Sequence, residues 1–130
     1  MSVESFDPSA ATAPLDGQMV ARLLELDPAG DDLGLNEAEQ GSMGGLMTAP
    51  AAEWQAAAEP LEDGQIEHLI RVLTLAEEQF SGWQAGAKSP VIALVKVLKS
   101  RGSYDRSLTP WIKSNSNNRF LPHGSLMDRL

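Results

Sequence analysis

The chain has 130 residues, 42% of them hydrophobic, no cysteine and a formal charge of −8, enough for one domain around one core. No run of about 18 apolar residues offers a membrane span, and no basic start leads into an apolar stretch for export, so the expectation is a cytoplasmic protein. Without cysteine there is no disulfide framework, thiolate nucleophile or cysteine-ligated zinc or iron–sulfur site.

Residues 1–14 are rich in Ser, Ala, Thr and Pro without hydrophobic periodicity, the pattern of a disordered arm. Residues 15–130 are expected to form a single all-α domain. Met19, Val20, Leu23, Leu24 and Leu26 recur at helical spacing after Asp16, and Pro28 with Gly30 ends that helix near Asp27. Asp31 and Asp32 make an acidic turn. Asn36, with Glu39 three residues on, predicts a capping box opening a helix from Glu37 to Met47. That helix holds Gly41, Gly44 and Gly45, each costing about 1 kcal/mol against alanine in a helix interior, which points to close approach of another backbone. Pro50 opens an alanine-rich helix ending at Pro60, with Trp54 as its packing anchor.

Asp63 is the predicted N-cap of the strongest helix, on which Ile66, Leu69, Ile70, Leu73, Ala76 and Phe80 share an apolar face beside Glu77, and Gly82 stops it. Ser89-Pro90 gives the cap and first turn of a helix to Arg101, with Val91, Leu94, Val95 and Leu98 inward and Lys96 and Lys99 outward. Thr109-Pro110 repeats the device for a short helix carrying Trp111 and Ile112, which the polar run Ser114 to Asn118 ends. The tail from Arg119 to Leu130 mixes apolar residues with charges and reads as a docked end. No period-2 segment stands out, so the fold expected is a compact all-α bundle of five or six helices. Asp-Gly-Gln followed by an apolar residue occurs at both 16–19 and 63–66, a shared way of capping rather than a duplication.

Charge is divided unevenly. Residues 1–63 hold 13 acidic residues and one basic residue, Arg22, whereas residues 64–130 hold five acidic and nine basic ones. Such asymmetry fits either a surface for an acidic partner at the basic end or mutual attraction of the halves, within one fold or in a dimer.

Leu33 to Pro50, with Trp54 just beyond, resembles the opening signature of the YecA/YgfB-like group of small bacterial helical proteins. In that group a Leu-x-x-x-Glu-[Ala/Leu]-x-Gly motif enters a helix reading Gly-x-Leu-x-Gly-Leu and then Ala/Gly-Pro; here Gly41, Gly45, Leu46, Ala49 and Pro50 fall in register. Gln40 and Ser42 depart from that pattern, residues 88–130 have no counterpart in it, and the cysteine-rich zinc tail of some members has no residues to form it. The resemblance implies an all-α bacterial protein and assigns no catalytic residue.

Candidate chemistry is sparse. His68 lies beside Glu67 on the strongest helix, where a lone histidine commonly sits at a core boundary. His123 lies in a polar loop two residues before Ser125, without a nucleophile elbow or an orienting acid, so a turn that caps the last helix accounts for it better than serine hydrolysis. Asp27, Asp31 and Asp32 do not make a calcium loop, because Gly34 is misplaced and position twelve from Asp27 is Ala38. The glycines at 41–45 lack the Lys-Ser/Thr of a phosphate loop.

The most distinctive stretch runs from Trp111 to Gly124. Lys113 and Arg119 supply charge, Asn117 and Asn118 supply donors and acceptors, and Trp111 and Phe120 supply stacking faces. A structural alternative has Asn117 and Asn118 bonding their own backbone, the aromatics in the core and Arg119 paired with an acid of the first half. Lys96 and Lys99, three apart, are neighbours on one helix and lie near Arg101. The expectation is a non-catalytic binding or regulatory protein without a cofactor or metal. Its partner would be a protein, met by the helix of Gly41, Gly44 and Gly45 or by a basic surface of Lys96, Lys99, Arg101, Lys113, Asn117, Asn118, Arg119 and His123. The alternatives are a nucleic-acid-binding protein using residues 88–129 and an enzyme using His123 or His68. A homodimer is compatible with the charge division.

Overall fold

A computed structural model describes residues 17–28, 34–80, 83, 85–86, 89–118 and 121. They form six α-helices: α1 (Gly17–Glu25), α2 (Glu37–Met43), α3 (Ala51–Ala58), α4 (Asp63–Gln79), α5 (Pro90–Ser100) and α6 (Leu108–Asn115), with a 3-10 helix over Gly44–Thr48. No strand occurs among the described residues. The expected arm at residues 1–14, the acidic turn at Asp31 and Asp32, Gly82, Lys88, and the tail apart from Leu121 lie outside them.

α5 is apolar nearly all round its first half: Pro90, Val91, Ile92, Ala93, Leu94 and Val95 are all buried, as a helix inside a bundle must be. It packs on α3 and α4, and its polar residues Lys96, Lys99 and Ser100 face out. Ser89 caps it as the sequence predicts, its Oγ accepting from the Val91 N–H at 3.1 Å. α4 also meets α1 and α6, which explains why its buried face extends beyond the predicted residues to Val72 and Thr74.

α2 opens with the predicted capping box: Glu39 N–H donates to Asn36 Oδ1 (2.8 Å) and Asn36 N–H to Glu39 Oε1 (3.2 Å). Glu39 also accepts from Arg22 Nε at 3.0 Å, while another Arg22 nitrogen donates to the Gly34 carbonyl at 2.7 Å. The single cation of residues 1–63 thus ties α1 to α2 and, with the Asn36 N–H, holds the Glu39 carboxyl below the usual carboxylate range.

Several boundaries differ from the sequence reading: α1 ends at Glu25 rather than near Asp27, and Pro50 is the N-cap of α3 rather than its first helical residue. The helix from Glu37 is α-helical only to Met43 and tightens to 3-10 from Gly44. α4 is capped at Glu62, whose N–H donates to Gln65 Oε1 at 2.9 Å, so Asp63 is its first helical residue. α6 starts at Leu108 behind Ser107, leaving Thr109 and Pro110 inside its first turn, where a proline removes no needed donor.

The glycine expectation also needs correction. A Cβ on Gly44 would stand 3.1 Å from Trp83 Nε1, whereas around Gly41 and Gly45 nothing lies within 4 Å. What closes on Gly44 is therefore an indole ring rather than a backbone; that ring is buried, and its N–H donates to the Gln40 carbonyl at 3.0 Å. Gly44→Ala is expected to cost about 1 kcal/mol by overpacking. Gly41→Ala and Gly45→Ala should each add about 0.4–1 kcal/mol by restricting the unfolded chain. Urea midpoints of the three variants read these opposite signs directly.

Candidate functional site

The predicted binding residues divide into two regions. The first is an open groove of about 560 Å³ lined by Gln55, Ala56 and Glu59 of the α3 side and Lys96, Val97, Ser100 and Arg101 of the α5 side. α3 forms its wall because this alanine-rich helix buries only Trp54 and Ala58, leaving Ala52, Gln55, Ala56 and Glu59 exposed along one side.

Arg101 closes the groove's end. Its guanidinium donates to the carbonyls of Ala58 (3.1 Å), Glu59 (3.2 Å) and Leu61 (2.8 Å) and to Asp63 Oδ1 (2.9 Å). It thereby satisfies carbonyls at the C-terminal end of α3 and in the turn beyond. The Ser103 hydroxyl and the Arg101 guanidinium hold the Asp63 carboxyl below the usual range. This pair joins the acidic and basic parts of the chain, so some of the charge division is internal attraction. The Lys96 side chain is exposed and makes no hydrogen bond or ion pair within the described residues.

The second region is built on adjacent carboxylates at the end of α4. Asn117 gives its N–H and its side-chain amide to the two oxygens of Glu78, both at 2.8 Å. Asn118 Nδ2 donates to Glu77 Oε1 at 3.3 Å and to the Gly86 carbonyl at 2.9 Å. Glu77 is 1% exposed and also accepts from the buried Ser89 hydroxyl and the Ala85 N–H. Burial pushes the Glu77 carboxyl above the ordinary range, against the pull of these donors and with the neighbouring Glu78 charge adding to the rise. The asparagine side chains thus bind acids of a distant helix, where the structural alternative expected them to bond their own backbone; locally, the Asn118 N–H donates to Ser116 Oγ at 3.0 Å.

The remaining predicted residues are dispersed. The Lys99 ammonium lies 5.6 Å from the Tyr104 ring centroid. Lys113 is exposed on α6. The half-buried Trp111 has one face covered by the Arg71 guanidinium, 4.7 Å from its centroid, so that face is closed to stacking by a base. Arg119, Phe120, His123 and Ser125 lie outside the described residues. His68 Nε2 is 2.8 Å from the Leu26 carbonyl; a carbonyl only accepts, so Nε2 carries the proton and the ring fastens α4 to the end of α1.

Among the described residues no group of three or more His, Asp or Glu is placed to hold a metal ion, and no helix is long and apolar enough to cross a membrane. Gln55, Glu59 and Ser100 of the groove and Glu78 of the carboxylate cluster were not singled out by the sequence, and Ser89 was read only as a helix cap, without its bond to Glu77. The polar residues among the alanines of α3 were the available signal for Gln55 and Glu59, and the doubled glutamate at a helix end for Glu78. Compared with known proteins, the chain matches no family model, no curated protein and no solved structure.

Proposed function

We propose that the chain is a non-catalytic binding module that works in a cytoplasm and engages a protein partner through the groove between α3 and α5. The observation carrying this reading is Lys96: an exposed cation on the wall of a 560 Å³ groove with no partner of its own within the described residues. The groups with most chemical potential have structural bonds instead, Ser89 with Glu77 and His68 with the Leu26 carbonyl. A nucleic-acid interface draws less support. Arg101 is held by Asp63 and three carbonyls, Asn117 and Asn118 are held by Glu78 and Glu77, and the whole chain carries −8, which repels phosphate.

Affinity capture from the native cytoplasm with the intact chain, alongside Lys96→Glu and Ala56→Arg variants, tests the reading. A protein retained by the intact chain and lost from both variants is the expected result. Equal retention by all three would overturn the groove assignment. A low-salt shift of labelled DNA or RNA that disappears with Lys96→Ala would transfer the function to nucleic acid.

A further inference from the structure

Groove charges pair unequally. Arg101 is matched by Asp63 at 2.9 Å, which leaves two side chains on opposite walls, the Lys96 ammonium and the Glu59 carboxylate, both exposed and joined to no other side chain within the described residues. They are equal in number and opposite in sign. A heterologous partner would have to carry a complementary pair of its own, at the matching separation. A second copy of this chain carries it already: in a two-fold arrangement every contact from residue i to residue j is repeated from j to i.

The relief of the surface agrees with this. Ala52 and Ala56, four residues apart and exposed on α3, make a low ridge running toward Glu59, and Ala56, Val97 and Ser100 give the groove short side chains. Two such faces can bring their α3 helices close without displacing a long side chain, and ordering alanines costs no rotamer entropy. Each copy carries −8, but screening at physiological ionic strength confines charge effects to about 8 Å, and the groove lining itself is not acidic, with Lys96 and Arg101 against Glu59.

We infer that the α3–α5 groove is the interface of an isologous homodimer in which Lys96 of each copy pairs with Glu59 of the other. This rests on the reading of the groove as a protein-binding surface and names the partner as the chain itself.

Light scattering on the full chain over a range of concentrations tests it, with circular dichroism confirming that each variant remains helical. The intact protein should approach twice its 14.0 kDa mass. Lys96→Glu alone and Glu59→Lys alone should each halve the apparent mass, since each places like charges opposite one another. Mixing the two single variants in equal amounts should restore the doubled mass, because each variant then meets its complement at both contacts. The double variant should dimerise on its own. A monomer at every concentration would overturn the inference, as would a dimer indifferent to both substitutions. If the mass stays at 14.0 kDa while Lys96→Glu still loses a captured protein, the dimer fails and the groove reading survives; if neither mass nor capture responds, both fall.

Discussion

Trp54→Ala is expected to cost about 3–5 kcal/mol, the range for truncating a large buried aromatic. The indole is fully buried, and its N–H donates to the Leu46 carbonyl at 3.3 Å. α3 has no other large apolar side chain, its remaining buried contribution being Ala58. Losing the ring therefore removes most of the apolar contact of this helix with the core, leaving Ala58, the half-buried Ala57 and the Arg101 bonds to its C-terminal carbonyls. Against a typical domain stability of about 5–15 kcal/mol, such a loss takes a large part of the whole. Trp54→Phe is the matching control: it retains most of the apolar surface and removes one of the two donors to the Leu46 carbonyl, which keeps the Ala49 N–H at 3.1 Å, for about 1 kcal/mol. Urea unfolding of both variants checks the ordering. An alanine variant with an unchanged midpoint would show that α3 is held by something other than its tryptophan.

Glu77→Ala should cost on the order of 3 kcal/mol, because buried donors left without an acceptor cost about 1–3 kcal/mol each. The Ser89 hydroxyl and the Ala85 N–H both lose Glu77, while Asn118 keeps its bond to the Gly86 carbonyl. Glu77→Gln keeps the size of the side chain and removes the charge, and its informative consequence is in pH dependence. Burial raises the Glu77 pKa above the ordinary value of 4.5. Between the unfolded and folded values the native state retains a proton that the unfolded chain has released. The contribution of Glu77 to stability is thus greatest on the acid side and declines as pH rises through the folded pKa. Glu39, Asp63 and Asp105, whose carboxyls are held below the ordinary range, act in the opposite sense: their stabilisation fades as pH falls through their folded values. The difference in unfolding free energy between wild type and Glu77→Gln isolates the buried group. That difference should shift steadily in favour of the glutamine variant as pH rises from about 4.5, the Glu77 reference value. A pH-independent difference would place the titration elsewhere.

Those carboxylates also mark where the sequence ceases to be readable. The cap of α2 at Asn36 and the start of α5 at Ser89-Pro90 are local devices, fixed by a side chain and a backbone N–H two or three residues away. The interior position of α5 follows from its nearly unbroken apolar run. The start of α4 is different. Glu62 and Asp63 both have the chemistry for a cap, and Asp63 instead faces a guanidinium 38 residues along the chain. At α6 the Thr109 hydroxyl is engaged with Tyr104 at 2.6 Å, and Asp105 turns the chain by accepting from the Ser107 N–H. The groove and the Glu77–Asn118 cluster join segments about 40 residues apart, a separation that no periodicity encodes. Of the three glycines read as a packing surface, only Gly44 is one, because the partner is Trp83, outside any repeating pattern.

Arg101 has a further consequence, for the order in which the molecule is completed during translation. The carbonyls ending α3 and the turn beyond it are synthesised some forty residues before the guanidinium that gathers them, and the end of α4 waits a similar interval for Asn118. A nascent chain that has emerged through α4 already holds four of the six helices, with both of these ends still open. Vectorial synthesis therefore delivers the fastenings last, and the ribosome-bound intermediate exposes the apolar face of α4 until α5 arrives to cover it.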